Sequence, residues 1–273
     1  MATELVDKSL SPKVQEWLKQ VDSTWEAIPD FRVDRQYFSH LAVICDGNRR
    51  GSKSRGLDAW MGHRVGVEVI KGIMEAGRQW GIKHLTFWTW STENWKRESE
   101  QVDFVMNLAT RYLQDERTMQ ELVENQVKFT HIGRKDRIPF KVKESIDKLE
   151  SRTSGFDRWY VNLALDYGGL DEAARGIAKI LEWVKVGKLS KIDLITNPGV
   201  ILGFLDTTSQ PAPDLVIRTG MTEDEIPRTS GFMPLQTVYS GWKFTSELFP
   251  DLTPEVLLEN IKDFLSYQRR MGK

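Results

Sequence analysis

The sequence predicts an α/β protein with a mostly parallel central sheet flanked by helices. Strand-forming runs alternate along the chain with segments whose apolar residues recur at helical spacing, an order typical of right-handed βαβ units. The chain has 273 residues, of which 40% are hydrophobic, so it can bury one large core. No repeat, low-complexity tract or linker interrupts the pattern. We therefore expect residues 1–273 to form a single domain.

The first predicted element is an amphipathic helix over residues 11–28, in which Ser11 is a suitable N-cap and Pro12 suits the first turn. Residues 1–35 would comprise this helix and a charged connection. The later predicted elements are strand 41–45, helix 62–80, strand 83–90, a helix over 102–113 with a second through 121–124, strand 126–132, helix 138–149, strand 159–165, helix 173–184, strand 214–218, helix 256–265 and a basic tail over 266–273.

Composition narrows the possible functions. The formal net charge is -1 and the isoelectric point is near 6.5, whereas a nucleic-acid-binding domain is usually basic overall. The single cysteine, Cys45, cannot form an intramolecular disulfide, which favours a reducing compartment. The N-terminal residues lack the apolar core of a signal peptide, and no run approaches the roughly 20 apolar residues of a membrane span. We therefore expect a cytoplasmic protein with no nucleic-acid partner.

The most distinctive stretch follows the first predicted strand. Asp46 ends that strand, and a segment with three glycines and four fixed positive charges follows, beginning with Gly47, Asn48, Arg49 and Arg50. Glycines let backbone N–H groups approach a phosphate, and the planar arginine side chain can bind two phosphate oxygens at once. A carboxylate beside bound phosphates is a natural Mg²⁺ ligand. The segment therefore indicates a phosphate-binding site that could hold Mg²⁺.

Polar residues also follow other predicted strands, and the carboxyl ends of parallel strands meet at one edge of a sheet. A second arginine cluster, with Arg218, Arg228 and Ser230, would therefore lie near the first cluster. Two anion-binding clusters with aromatic residues such as Trp90 between them fit diphosphate chemistry on an apolar substrate.

Five separated motifs occur in the order DGNRR with the Gly-His pair at 62–63, STENWKR, NLALDYGG, DLVIRTG and RTSGFMPLQTVY. From about residue 40 to 250 the chain resembles the cis-prenyltransferases, the undecaprenyl diphosphate synthase group. The resemblance implies an undecaprenyl diphosphate synthase-like fold with a hydrophobic tunnel, and a homodimer. It also implies a Mg²⁺-dependent enzyme that condenses isopentenyl diphosphate with an allylic diphosphate, such as farnesyl diphosphate, to make a Z-polyprenyl diphosphate.

The resemblance also implies roles for particular residues. Asp46 would bind Mg²⁺ and assist diphosphate departure, and Asn94 would help to remove a proton. The implied substrate-binding residues are Gly47, Asn48, Arg49, Arg50 and His63 around the allylic diphosphate, Trp90, Ser91 and Arg97 beside the reacting carbons, and Arg218, Arg228 and Ser230 around isopentenyl diphosphate. Arg270, in a C-terminal R-x-G, would reach a diphosphate across the dimer.

One departure from the family pattern concerns the metal. A glutamate is usual where this chain has Gly241, so the second expected Mg²⁺ carboxylate is missing. Glu223, in the acidic loop 223–225, could supply a substitute, or Asp46 could act with diphosphate oxygens alone. Alternatively, the chemistry has shifted to branched coupling or cyclisation, or the chain is a non-catalytic subunit of a heteromeric enzyme. The retained leaving-group residues disfavour the non-catalytic subunit.

Two properties depend on the tunnel and its product. Product length would follow from the side chains along the tunnel, for which Phe104, Met106, Leu108 and Leu113 are candidates. An enzyme with a long lipid product could also contact a membrane peripherally without an anchoring segment.

Overall fold

The computed structural model describes residues 10–222 and 224–267, which form a parallel sheet flanked by helices. The strands of this part of the chain are β1 (His40–Ile44), β2 (His84–Ser91), β3 (Val127–Ile132), β4 (Trp159–Tyr167), β5 (Leu215–Arg218) and β6 (Gly241–Phe244). Their order is β3-β4-β2-β1-β5-β6, and every neighbouring pair is parallel. The predicted fold class is confirmed.

Helices connect the strands. They are α1 (Pro12–Glu26), α2 (Asn48–Ser54), α3 (Met61–Trp80), α4 (Ser99–Gln114), α5 (Glu116–Glu124), α6 (Phe140–Thr153), α7 (Gly169–Lys185), α8 (Lys191–Thr196) and α9 (Pro254–Ser266), with 3₁₀ helices at Thr92–Lys96, Pro198–Phe204 and Phe249–Asp251. No helix in the described ranges is both long and apolar enough to cross a bilayer.

The first strand lies inside the sheet and is buried on both faces. Its alternate side chains point in opposite directions, so Leu41 and Val43 enter the larger hydrophobic core while Ala42 and Ile44 enter a smaller core on the other face. This two-sided burial explains why the strand is a continuous apolar run rather than an alternating one.

The strand register brings the loops after β1, β2 and β5 together. Ile44 in β1 pairs with Trp88 in β2 and with Arg218 in β5. Since parallel strands run in one direction, the segments that follow these residues emerge at the same edge of the sheet. The site predicted from the sequence lies at this edge.

Three segments differ from the prediction. Residues 48–54, expected as a loop, form α2, and residues 191–204 contain α8 and a 3₁₀ helix. The short strand β6 adds to the sheet beside β5, and all four of its residues are partly exposed. These pieces are too short to show a hydrophobic period, so the sequence pattern missed them.

Candidate active site

A polar cleft of about 450 Å³ opens at the carboxyl edge of the sheet, beside the ends of β1, β2 and β5. Within the described residues its lining holds one carboxylate, that of Asp46, and several cationic side chains, namely Arg49, Arg50, Lys53, Arg97 and Arg218. This excess of positive charge suits a ligand that carries more than one negative charge.

Asp46 lies two residues after the end of β1, and two arginines contact its carboxylate. Its Oδ2 accepts a hydrogen bond from Nη2 of Arg218 at 2.8 Å, and its Oδ1 contacts Nη2 of Arg50 at 3.5 Å. Oδ1 also accepts the backbone N–H of Gly47 at 2.7 Å. The side chain is still 37% exposed, which leaves part of the carboxylate accessible from the cleft.

Gly47 lets the chain turn from β1 into α2. Its φ is +103°, and a Cβ atom at this position would lie 2.9 Å from Cα of Leu248. Only glycine adopts this conformation in this space without strain. Helix α2 begins at the next residue and places Arg49, Arg50 and Lys53 within one turn of each other beside Asp46.

Arg218 joins the second arginine cluster to the first. Besides its salt bridge to Asp46, its Nη1 donates to the backbone oxygen of Arg228 at 2.6 Å and to Oγ of Ser230 at 2.7 Å. Ser230 lines the cleft, whereas the Arg228 side chain is exposed and lies outside the lining. The structure therefore brings Ser230 to the site by its side chain and Arg228 by its backbone.

The 3₁₀ helix Thr92–Lys96 forms the opposite wall. Oδ1 of Asn94 accepts the backbone N–H of Ser91 at 3.0 Å, and the Ser91 side chain accepts a backbone N–H in return. This reciprocal cap holds Asn94 at the cleft. The Arg97 guanidinium lies 5.2 Å from the ring centre of Trp90. Burial, and then the charge of Arg49, lower the pKa of Arg97, so the cleft favours bound negative charge.

His63 and Asn48 lie where the cleft meets a second, apolar cavity. Nε2 of His63 and Oδ1 of Asn48 are buried and have no hydrogen-bond partner among the described residues. Burial, and then the charges of Arg97 and Arg49, lower the pKa of His63 to about 3, so its ring is neutral at pH 7. Buried polar atoms without partners at such a junction are suited to contact a ligand.

The apolar cavity is a tunnel of about 170 Å³ that runs from the cleft between α3, α4 and the sheet. Its lining is dominated by aliphatic and aromatic side chains, including Ile70, Met74, Leu108, Leu113, Leu122, Phe129 and Val161. The predicted hydrophobic tunnel and its liners Leu108 and Leu113 are confirmed. The other two predicted liners are wrong, because Phe104 packs against Trp60 with ring centres 6.2 Å apart and Met106 is buried in the core outside the tunnel lining.

Gly241 does not lie at the cleft. It pairs with Leu215 at the start of β6, three residues before the edge on which the cleft opens. A Cβ atom at Gly241 would lie 2.5 Å from Cε2 of Phe264. We therefore expect a glutamate side chain at this position to meet Phe264 rather than the described residues of the cleft.

The described residues contain no group of three or more histidine, cysteine, aspartate or glutamate side chains placed to bind a metal. Asp46 is a single hard oxygen ligand, and Arg50 and Arg218 already offset its charge. Mg²⁺ accepts one or two carboxylates when diphosphate oxygens complete its coordination. The residues present therefore fit a metal that binds together with a diphosphate. Glu223 and Arg270, two predicted site residues, lie outside the described residues.

Sequence reasoning left out a buried carboxylate behind the site. Asp166 is fully buried at the end of β4, and its Oδ1 accepts a hydrogen bond from Nε1 of Trp95 at 2.8 Å. Arg137 donates to both carboxylate oxygens, at 2.9 and 2.5 Å. Trp95 in turn lies edge-on against Trp90, with ring centres 5.9 Å apart. A bulky aromatic next to a capping asparagine was the available signal, but its partner is 71 residues away.

Comparisons with known proteins agree with this geometry. Residues 44–272 match the sequence model of a prenyltransferase family, which is described as "Putative undecaprenyl diphosphate synthase". An isoprenyl transferase of Clostridium perfringens is 37% identical over 85% of this chain and 89% of its own length. One of Aquifex aeolicus is 36% identical over 86% of this chain and 95% of its own.

Solved structures are similar over the same region. Lavandulyl diphosphate synthase from Lavandula x intermedia, in complex with dimethylallyl diphosphate, superimposes with a TM-score of 0.81 and 31% identity, covering 88% of this chain and 100% of its own. A probable undecaprenyl diphosphate synthase from Campylobacter jejuni gives a TM-score of 0.69 and 31% identity, covering 86% of this chain and 99% of its own.

Proposed function

Because the chain belongs to the undecaprenyl diphosphate synthase family of prenyltransferases, we propose that it is a Mg²⁺-dependent enzyme that condenses isopentenyl diphosphate with an allylic diphosphate, such as farnesyl diphosphate, into a linear Z-polyprenyl diphosphate. One observation carries the proposal. Cys45, Asn48, His63 and Thr89 line both the cationic cleft and the apolar tunnel, so one molecule with an anionic head and an apolar tail can occupy both.

The allylic substrate would bind with its diphosphate beside α2 and its tail in the tunnel. Arg49 and Arg50 supply positive charge, and Nε2 of His63 and Oδ1 of Asn48 lie where the head meets the tail. Arginine suits this role because its planar group donates several hydrogen bonds to phosphate oxygens. The tunnel wall shields the hydrocarbon tail of the substrate from water, which favours binding of apolar tails over short polar ones.

The second substrate, isopentenyl diphosphate, would bind at the other arginine cluster. Arg218 and Ser230 are 2.7 Å apart and line the same cleft as Asp46. Arg228 joins this site through its backbone, and Arg270 of the C-terminal R-x-G is proposed to complete it. The two substrates would then lie side by side, which brings the reacting carbons together.

Asp46 would hold Mg²⁺ on the departing diphosphate, where the ion would offset the negative charge that develops as the carbon–oxygen bond breaks. Arg50 and Arg218 orient the carboxylate for this task. Asn94, fixed by its cap with Ser91, would help to remove the proton that is lost after the new bond forms, and the released diphosphate would take up that proton. Trp90 and Arg97 would flank the reacting carbons. The aromatic ring of Trp90 would stabilise positive charge that develops on those carbons.

The proposal includes a homodimer. Ile177, Leu181 and Val184 recur on one face of α7 and are each more than a third exposed. Such a stripe on a helix is typical of a surface that another protein covers. Light scattering would test the homodimer, and Leu181→Glu is expected to shift the measured mass to that of a monomer.

We also propose that the enzyme lies in the cytoplasm, with peripheral contact to the membrane that receives its product.

The decisive experiment supplies purified protein with Mg²⁺, labelled isopentenyl diphosphate and farnesyl diphosphate, then sizes the alcohols released from the extracted lipid. A ladder of linear Z-alcohols that Asp46→Ala abolishes would support the proposal. Label that stays entirely in the aqueous phase would contradict it.

A second candidate is irregular coupling of allylic diphosphates. It is favoured by the similarity to lavandulyl diphosphate synthase and by the single carboxylate among the described cleft residues. Incubation with dimethylallyl diphosphate alone distinguishes the two functions, because branched or cyclic products would form only in the second.

A further inference from the structure

One polar cluster lies beside the tunnel, between α3 and α4. Arg64, Glu68 and Lys71 of α3 meet Tyr112 of α4, and we call these four residues the clasp. The Tyr112 hydroxyl donates to Oε1 of Glu68 at 3.1 Å, which joins the two helices. Arg64 and Lys71 make salt bridges to the same carboxylate at 2.7 and 2.9 Å. Nζ of Lys71 lies 4.8 Å from the centre of the Tyr112 ring.

The clasp is charged although it is largely shielded from water. The Glu68 side chain is only 12% exposed and that of Arg64 only 4%. Burial alone would raise the pKa of Glu68, but the positive charges of Lys71 and Arg64 outweigh burial and lower it. Each charge depends on the others, because an unpaired charge in such a place is unfavourable.

The clasp also separates the tunnel from a second depression. Lys71 and Tyr112 line the tunnel on one side. On the other side, Arg64, Glu68 and Lys71 line a polar depression of about 200 Å³ beside α1 and α5. The tunnel itself holds about 170 Å³, so parting the clasp would join two spaces of similar size.

We propose that the clasp determines product length by closing the side of the tunnel, and that a chain that outgrows the tunnel leaves through it. This proposal rests on the proposed function, because it assigns a length limit to the same product chain. The apolar inner wall offers no comparable opening, since Met74, Leu113 and Phe129 pack there against the buried core. A growing chain instead meets the clasp, where the Tyr112 hydroxyl donates to Glu68 and the Lys71 ammonium lies over the Tyr112 ring.

Two variants test the clasp. Tyr112→Ala removes the ring and the hydroxyl, whereas Tyr112→Phe keeps the ring and removes the hydroxyl that donates to Glu68. We expect Tyr112→Ala to lengthen the main product by at least one isoprene unit, and Tyr112→Phe to broaden the distribution toward longer chains. Tyr37→Ala is a matched control, because Tyr37 is 62% exposed outside both cavities.

A binding assay tests the clasp without catalysis. We would titrate wild type and variants with n-alkyl phosphates of increasing chain length and follow tryptophan fluorescence. Affinity should rise by about fourfold per methylene until the chain reaches the clasp, and then level off. Tyr112→Ala should move the levelling point to longer chains. A cooperative thermal unfolding transition would confirm that the variant is folded.

The outcomes separate the two proposals. A levelling point that moves in Tyr112→Ala supports the clasp even if no protein elongates isopentenyl diphosphate, a result that would overturn the proposed function instead. A folded Tyr112→Ala with the wild-type levelling point, and with the wild-type product length where product forms, would overturn the clasp.

Discussion

Asp46 and Arg218 are 172 residues apart in the chain and 2.8 Å apart at the cleft. Arg218 ends β5, and Asp46 lies two residues beyond the end of β1, the parallel neighbour of β5, so the contact follows from the sheet. The salt bridge links the carboxylate proposed to hold Mg²⁺ with the cluster proposed to hold isopentenyl diphosphate. Binding at either cluster would therefore affect the geometry of the other.

Replacing Asp46 tests the leaving-group role. We expect Asp46→Asn to lower kcat by at least about a hundredfold, because the amide keeps the shape but loses the charge that offsets the cations and holds the metal. Steady-state assays over a series of Mg²⁺ concentrations would measure this loss of kcat. Asp157→Asn is the matched control, since Asp157 is exposed before β4, at the opposite end of the sheet. Equal rates for wild type and Asp46→Asn would refute the role.

Arg218 has a different expected signature. Arg218→Lys keeps the charge but cannot maintain contacts to Asp46, Arg228 and Ser230 together. We expect the KM for isopentenyl diphosphate to rise about tenfold or more, with a smaller change in the KM for the allylic substrate, as charge-assisted hydrogen bonds contribute about 1.5–3 kcal/mol. If both KM values rise equally, Arg218 does not distinguish the two substrates.

The hydrogen bond between the half-buried Trp95 and the buried Asp166 is expected to position the wall of the cleft formed by the 3₁₀ helix Thr92–Lys96. Trp95→Phe keeps an aromatic ring but removes the indole N–H that donates to Asp166 at 2.8 Å. We expect kcat to fall by about tenfold while both KM values change less, because a lost buried hydrogen bond costs about 1–3 kcal/mol.

Trp25→Phe is the control for this experiment. The Trp25 indole N–H has no hydrogen-bond partner among the described residues, and Trp25 packs on Gly72 of α3 away from the cleft. A kcat loss of the same size in Trp25→Phe would show that tryptophan replacement acts through stability alone.

Stability should fall as the pH drops below 6.5. His40 is fully buried between Pro211 and Thr86, and burial lowers its pKa to about 4. The unfolded chain therefore binds a proton between pH 6.5 and 4 that the folded chain does not, and the free energy of unfolding decreases as pH falls through this window. We expect His40 to contribute about 1 kcal/mol of loss between pH 6.5 and 5.5.

Urea titrations at several pH values would measure this loss. His40→Gln cannot take up the proton and should show a shallower dependence on pH than wild type, whatever its stability at pH 7.5. Parallel curves for the two proteins would contradict the assignment. The pKa of each of the other histidines, His63, His84 and His131, is also lowered by burial, so the variant should keep part of the slope.

Gly241→Glu is expected to destabilise the fold rather than restore a metal ligand. Its side chain would meet the Phe264 ring, and tight packing of this kind costs about 1–3 kcal/mol. The Mg²⁺ concentration for half-maximal rate should stay unchanged, because β6 starts three residues from the cleft edge. Chemical denaturation and a Mg²⁺ titration measure the two effects, and a clear drop in the Mg²⁺ requirement would contradict this geometry.

Much of the fold and site could be predicted from sequence because local patterns carry it. The apolar run before Asp46 predicts a buried strand, and a parallel sheet gathers strand ends at one edge, so Asp46, Asn94 and Arg218 were expected together. The positive φ at Gly47 also has a local cause, because glycine adopts this conformation without strain. By contrast, Gly241 matched a motif position, but its distance from the cleft depends on the register between β5 and β6.

The sequence by itself determined the alternation of strands and helices, the cationic segments and the family, because these depend on neighbours along the chain. Only the tertiary structure decided that Asp166 holds Trp95, that the tunnel passes Leu108 but not Phe104, and that Tyr112 beside the tunnel donates to Glu68. These contacts join residues on separate elements. Their geometry follows from how helices pack on the sheet, which no local pattern of residue types specifies.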